Sequence, residues 1–152
     1  MEEASLTKIL DAVEQPGFLD STAIASGHET VARILAETPE IQTLLENRTA
    51  TLPVMRSRYQ QRDARMTDNA RLVYFIVFGL ARDREMIDAI IAYLKRSLNA
   101  RTSQLMSPWH PFLHGVQALE RITEGQVQAP RSSGTKGQFE EFLQQVEKWE
   151  KE

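Results

Sequence analysis

The sequence predicts an all-α protein, either an irregular helical bundle or a short solenoid of antiparallel helix pairs, with a tethered amphipathic helix at its C-terminal end. Three observations predict it. Apolar residues recur at helical spacing in one segment after another. Alternation of polar and β-branched residues over strand lengths is missing, so no sheet is expected. Capping hydroxyls or carboxylates, two of them followed by proline, precede most of the apolar stripes, as helix starts require.

The plainest unit is residues 69–98. Leu72, Phe75, Ile76, Gly79 and Leu80 fall on one helical stripe, and Ile87, Ile90, Ile91 and Leu94 on another. Arg82-Asp83-Arg84 between them reads as a polar turn, so the segment predicts a helical hairpin, with Thr67 or Asp68 capping its first helix and Asp83 its second. Tyr74, Phe75, Phe78 and Tyr93 belong to its core.

The other elements are taken in chain order. Ser5, as N-cap, opens a first helix carrying Leu6, Ile9, Leu10 and Val13 and ended by Pro16-Gly17. Residues 28–37 place Val31, Ile34 and Leu35 on one face, and that helix can begin as early as Asp20. Thr38-Pro39-Glu40 starts the next, with Ile41, Leu44 and Leu45 inward. Pro53 is expected to start a fourth, whose thin apolar stripe is Val54, Met55 and Tyr59. Ser107-Pro108 precedes Phe112, Leu113, Val116, Leu119 and Ile122. Residues 126–137 lose the periodicity and gain Pro, Ser and Gly, the composition of a flexible linker. Phe139, Phe142, Leu143, Val146 and Trp149 then form the cleanest amphipathic stripe of the chain. The expected organisation is a helical domain over residues 1–125, a linker over 126–137 and an amphipathic helix over 138–152.

Length and charge bound the function classes. With 152 residues, of which 41% are hydrophobic, the chain can build one core that buries roughly 70% of its unfolded surface. A net charge of −3 supplies no global attraction to nucleic acid or anionic membrane. The absence of cysteine excludes disulfides, thiolate nucleophiles and cysteine metal sites. The acidic, weakly apolar N-terminus does not read as a secretory signal, and the longest apolar run, residues 72–81, is about half of what a membrane span needs. A cytoplasmic location, without membrane association, is the expectation.

The hairpin and the segment after it resemble the HEAT-repeat pattern. Phe78-Gly79-Leu80-Ala81 precedes Arg82-Asp83, then Met86, Ile87, Ile90, Ile91 and Leu94 are spaced as in a B helix, and residues 115–122 look like the A helix of a next repeat. Leu80 and Leu119 are 39 residues apart, near the repeat length of about 40 to 47. The resemblance covers residues 66–124 and does not extend into residues 20–62. It implies a HEAT-like domain offering a protein-binding, occasionally nucleic-acid-binding, surface in place of an active site.

Candidate chemistry is sparse. The serines lack a glycine elbow or a His/Asp partner pattern, and no glycine-rich phosphate loop exists, so nucleophilic catalysis, nucleotide binding and any cofactor are unsupported. His110 and His114, four apart, could share a helical face and define a metal-dependent enzyme as the least favoured class. The segment 48–71 holds six arginines, Arg48, Arg56, Arg58, Arg62, Arg65 and Arg71, against Asp63 and Asp68. Arg58, Arg62 and Arg65, at i, i+4 and i+7, would line one face with Arg56 nearby, suited either to phosphates or to the chain's own carboxylates. The tail stripe of Phe139, Phe142, Leu143, Val146 and Trp149 can dock on its own domain, pair with a second copy in a homodimer, or enter a partner's groove. Its polar face has five Glu against two Lys from Phe139 onward, which suits attraction to the arginine face. The expected function is a non-catalytic protein-interaction module, an adaptor, assembly factor or immunity-type inhibitor. The partner-binding candidates are Arg56, Arg58, Arg62 and Arg65 with the five tail residues, and the alternative is a nucleic-acid-binding protein using the arginine face.

Overall fold

The computed structural model describes residues 1–19, 28–100, 111–131 and 133–152. Among these residues eight α-helices run in chain order: α1 Glu3–Val13, α2 His28–Glu37, α3 Pro39–Glu46, α4 Arg48–Arg62, α5 Asp68–Leu80, α6 Ile87–Ala100, α7 Pro111–Ile122 and α8 Lys136–Lys151. Two 3-10 turns, Asp63–Arg65 and Arg84–Met86, precede α5 and α6, and no strand occurs among the described residues. The chain is all-α.

α5 is the axis of the molecule. Every residue from Ala70 to Gly79 is buried, including Arg71, so this helix is covered on all sides. A helix surrounded by protein has no solvent face to keep polar, which is why the longest apolar run of the sequence sits here. Thr67 caps it by accepting a hydrogen bond from the Ala70 amide at 3.2 Å. Asp83 accepts from the Glu85 amide at 3.3 Å and so caps the 3-10 turn that leads into α6.

α7 lies against α5 at unusually close range because small residues face each other. A Cβ on Gly79 would come within 2.7 Å of Ala118 Cα, and one on Gly115 within 3.0 Å of both Phe75 and Leu94. Phe75 beside Gly115, Gly79 beside Ala118 and Arg82 paired with Glu124 at 2.9 Å mean that the two helices run in the same direction. They also stop alike. The Asp83 amide bonds back to Phe78 O at 3.0 Å and the Gly125 amide to Glu120 O at 2.9 Å, closing both helices with the same six-to-one hydrogen bond. Each stop places a charged residue in the left-handed region, Arg82 at φ 54° and Glu124 at φ 56°, the second followed by Gly125 at φ 75°.

Two expected helix starts are corrected. Ser5 does not cap α1, which begins at Glu3 once the Leu6 amide bonds to Glu2 O at 3.1 Å; Ala4 continues a helix readily, and Glu3 suits its positive end. Pro53 lies inside α4. Its missing amide deprives Thr49 O of a partner, but both Thr49 and Pro53 are exposed, so water can serve that carbonyl and the helix continues. The starts expected at Thr38-Pro39 and Thr67 match α3 and α5, although the Thr38 hydroxyl, unlike that of Thr67, makes no capping hydrogen bond, and α2 runs over residues 28–37 as expected. The earlier start near Asp20, and Ser107-Pro108, lie outside the described residues.

The α8 helix opens on a reciprocal capping box between Thr135 and Gln138. Its apolar stripe joins the common core: Phe139, Phe142, Leu143 and Val146 are buried, and the Phe139 ring meets Phe112 edge-on at 5.2 Å. With Phe139 beside Phe112 at the starts, and Trp149 bonded to Gln126 beyond the end of α7, α8 runs in the same direction as α7. The chain must therefore return along α7 before α8 begins. The returning segment carries a buried Val127, and the Ala129 amide donates to Glu120 Oε2 at 2.7 Å.

Candidate interaction surfaces

Three of the four arginines of α4, Arg56, Arg58 and Arg62, meet carboxylates from distant parts of the chain. Arg56 forms a two-point hydrogen bond with Asp83, at 2.8 and 3.0 Å, and also reaches Glu85 at 2.6 Å. This geometry matches the flat fork of a guanidinium to a carboxylate and ties α4 to the α5–α6 turn. Asp83 is thus a helix cap and an inter-helix clamp at once. Arg58 and Arg62 converge on Glu14 Oε2 at 2.6 and 2.7 Å, and Arg58 also meets Asp11 at 2.9 Å. Glu14 sits just past the last turn of α1, and its other oxygen accepts from the Tyr74 hydroxyl at 2.9 Å. Burial, with Glu14 adding to it, pushes the Tyr74 phenol well above its ordinary value and keeps it a neutral donor.

A second cluster surrounds Arg71, the charged residue inside α5. Its guanidinium lies 4.3 Å from the Tyr93 ring centroid and 5.4 Å from that of Tyr59. It donates to the Tyr59 hydroxyl at 2.7 Å, to Asp63 Oδ1 at 2.6 Å and to the Asp63 carbonyl at 2.6 Å. Arg96 reaches the same carboxylate at 3.0 Å. Burial pulls the Asp63 carboxyl upward, but hydrogen bonds from Arg71 and Arg96 outweigh it and hold the group below its usual range. Burial also drives the Tyr59 phenol up to about 12, with Arg71 opposing.

Arg56, Arg58 and Arg62 are therefore engaged within the protein, as is Arg71. Arg65, in the 3-10 turn after α4, and Arg48, at the start of α4, are exposed and have no ion pair among the described residues. The tail residues Phe139, Phe142, Leu143 and Val146 face the core, and Trp149 is half-buried. The tail does not settle on the arginine face, contrary to the charge-based expectation. Its Glu147 pairs with Lys95 of α6 at 2.9 Å and its Trp149 ring lies under Arg84 at 4.5 Å, because apolar residues of α6 and α7 supply the surface its stripe needs.

Of the histidine pair, His114 is buried in α7, and His110 lies outside the described residues. Among the described residues no group of three or more His, Asp or Glu side chains is placed to hold a metal ion. No helix there is long and apolar enough to cross a membrane.

Sequence reasoning missed Glu14, Asp11 and Asp83 as counter-ions and the Arg84–Trp149 stack. No local signal could have found them: Arg56 and Asp83 are 27 residues apart, and Tyr74 and Glu14 are 60. Among the described residues, Met1 is the one large hydrophobic left exposed. A groove between residues 128–130 and α8 is lined by Gln128, Pro130, Gln138, Glu141 and Gln145 above Phe142. The chain matches no protein-family model, and searches of curated proteins and of solved structures returned no match.

Proposed function

We propose that this chain is a non-catalytic protein-interaction module, of the adaptor, assembly-factor or immunity-type inhibitor kind. The observation that carries this reading is the inward engagement of its charged and aromatic groups. Arg56, Arg58 and Arg62 of α4 clamp helices together and the tail stripe fills the core, so recognition falls to polar helix faces and to the amide-rich groove beside α8. Such a surface suits a protein partner held by hydrogen bonds and shape. The α5–α7 register supports the HEAT-like reading, since Phe75 and Gly115 are offset by 40 residues and Gly79 and Ala118 by 39. The parallel course of α7 and α8 departs from a regular solenoid of antiparallel pairs, so the HEAT-like portion is α5 to α7 and the tail closes it.

Affinity capture with the full chain, beside Glu141→Lys and Gln145→Lys variants, tests the proposal. The expected outcome is a discrete protein partner held by the parent chain and lost by the variants. Tight, steeply salt-dependent binding of DNA or RNA, abolished by Arg48→Ala with Arg65→Ala, would overturn it in favour of nucleic-acid recognition.

A further inference from the structure

We propose that the cavity between the C-terminal ends of α5 and α7 is a carboxylate-binding site, with Arg121 as its anchor and Arg82 as a second arm. The cavity measures about 390 Å³, and Leu80, Arg82, Glu120, Arg121 and Glu124 are among the residues that line it. That is room for a small ligand. Arg56, Arg58, Arg62 and Arg71 each meet a carboxylate of the chain, whereas Arg121 is partly buried and pairs with none among the described residues. Its Nη1 is fully covered and has no hydrogen-bond acceptor. Burial lowers the Arg121 pKa from its ordinary value, with the adjacent Glu120 opposing, but a guanidinium keeps its charge in a protein. The free chain therefore offsets the cost of burying this cation only in part.

Two carboxylates stand at the same cavity, and both are engaged. Glu120 Oε2 accepts from the Ala129 amide at 2.7 Å, and Glu124 pairs with Arg82 at 2.9 Å. Both members of the second pair are more than half exposed, so it contributes little and can open to turn Arg82 toward a ligand. The cavity also gathers the non-glycine residues that hold positive φ among the described residues, Arg82 and Glu124. Glycine would fill either position without strain, so charged side chains there cost stability, as residues of ligand sites commonly do. The guanidinium fork of Arg121 suits a carboxylate. Glu120 and Glu124 repel a polyanion, so the ligand that fits is a single carboxylate on a small neutral body, either a free acid or an acidic peptide side chain.

The cavity shares no lining residue with the groove beside α8, so binding here and partner capture there can fail separately. Titration of the full chain with butyrate, followed by NMR at the Arg121 Nε–H resonance, tests the site, with sodium chloride at matched ionic strength as the blank. A saturable shift with butyrate and none with chloride is expected. The blocked peptide acetyl-Ala-Glu-Ala-amide, titrated in parallel, tells the two sources apart: whichever carboxylate saturates at the lower concentration is the better ligand. Bound carboxylate should also raise the melting temperature of the parent chain. Arg121→Met keeps the apolar stem and removes the charge; it should melt no lower than the parent without ligand and weaken binding about tenfold or more. Arg82→Gly should weaken binding by a smaller factor. The absence of a saturable shift with both carboxylates, or an Arg121→Met chain that melts well below the parent, would overturn the proposal, the latter by making Arg121 a structural group.

Discussion

The two flanks of α5 are fastened by opposite means. Toward α7 the contact is dry and made by the absence of side chains, with Gly79 against Ala118 and Gly115 against Phe75 and Leu94. Toward α4 and α1 it is made by long polar groups: Arg71 between two tyrosines, Asp63 beneath it, and Tyr74 reaching Glu14. The dry flank depends on distance alone and tolerates no added atom. The polar flank depends on charge state and is open to pH and to the removal of a single partner.

The largest effect is expected on the polar flank. Arg71→Ala removes a nearly buried cation from between two rings and strips Asp63 of its closest partner; urea unfolding should show a loss of about 3 kcal/mol, the lower end for a broken buried pair because Arg96 still reaches Asp63. Next comes the dry flank. Gly79→Ala places a methyl 2.7 Å from the Ala118 backbone, which cannot rotate away, and should cost about 2 kcal/mol despite the better helix propensity of alanine. A milder cost would mean that α7 can slide on α5.

Acid separates the flanks further. Because the Asp63 carboxyl is held below its usual range in the folded protein, its stabilising contribution is present above the ordinary carboxyl range and lost as pH falls through its lowered folded value. Stability measured against pH should thus fall on the acid side less steeply in Asp63→Asn than in the parent, whereas the Gly79→Ala curve should run parallel to the parent's. The smallest effect lies where the flanks end. Arg82→Gly removes a side chain from a left-handed position at the cost of an exposed ion pair with Glu124, and should raise stability by about 0.5 to 1 kcal/mol in thermal unfolding.

Much of the helical framework is legible in residue order. Thr67 and the Thr38-Pro39 pair mark helix starts in the sequence and do so in the structure, and Tyr74, Phe75, Phe78 and Tyr93 are the core their spacing implies. Pro53 misleads because the penalty for proline inside a helix depends on whether water reaches the orphaned carbonyl, a property of exposure and not of order. The arginine face is legible as a face but not as a set of clamps. Of its partners, Glu14 carries no mark that distinguishes it from other carboxylates of the chain, and Asp83 is marked in the sequence as a helix cap but not as an arginine's partner.

Periodicity, caps and prolines determined by themselves that this protein is helical, where most of its helices lie and which face of each is apolar, because those properties depend on residues within one or two turns. Only the tertiary structure decided that α7 and α8 run in the same direction, that the tail stripe closes the core, and that Arg56, Arg58 and Arg62 of α4 are tied to carboxylates of the chain itself. Those outcomes turn on contacts between residues dozens of positions apart, and each is chosen by competition among many apolar faces and carboxylates that are locally equivalent.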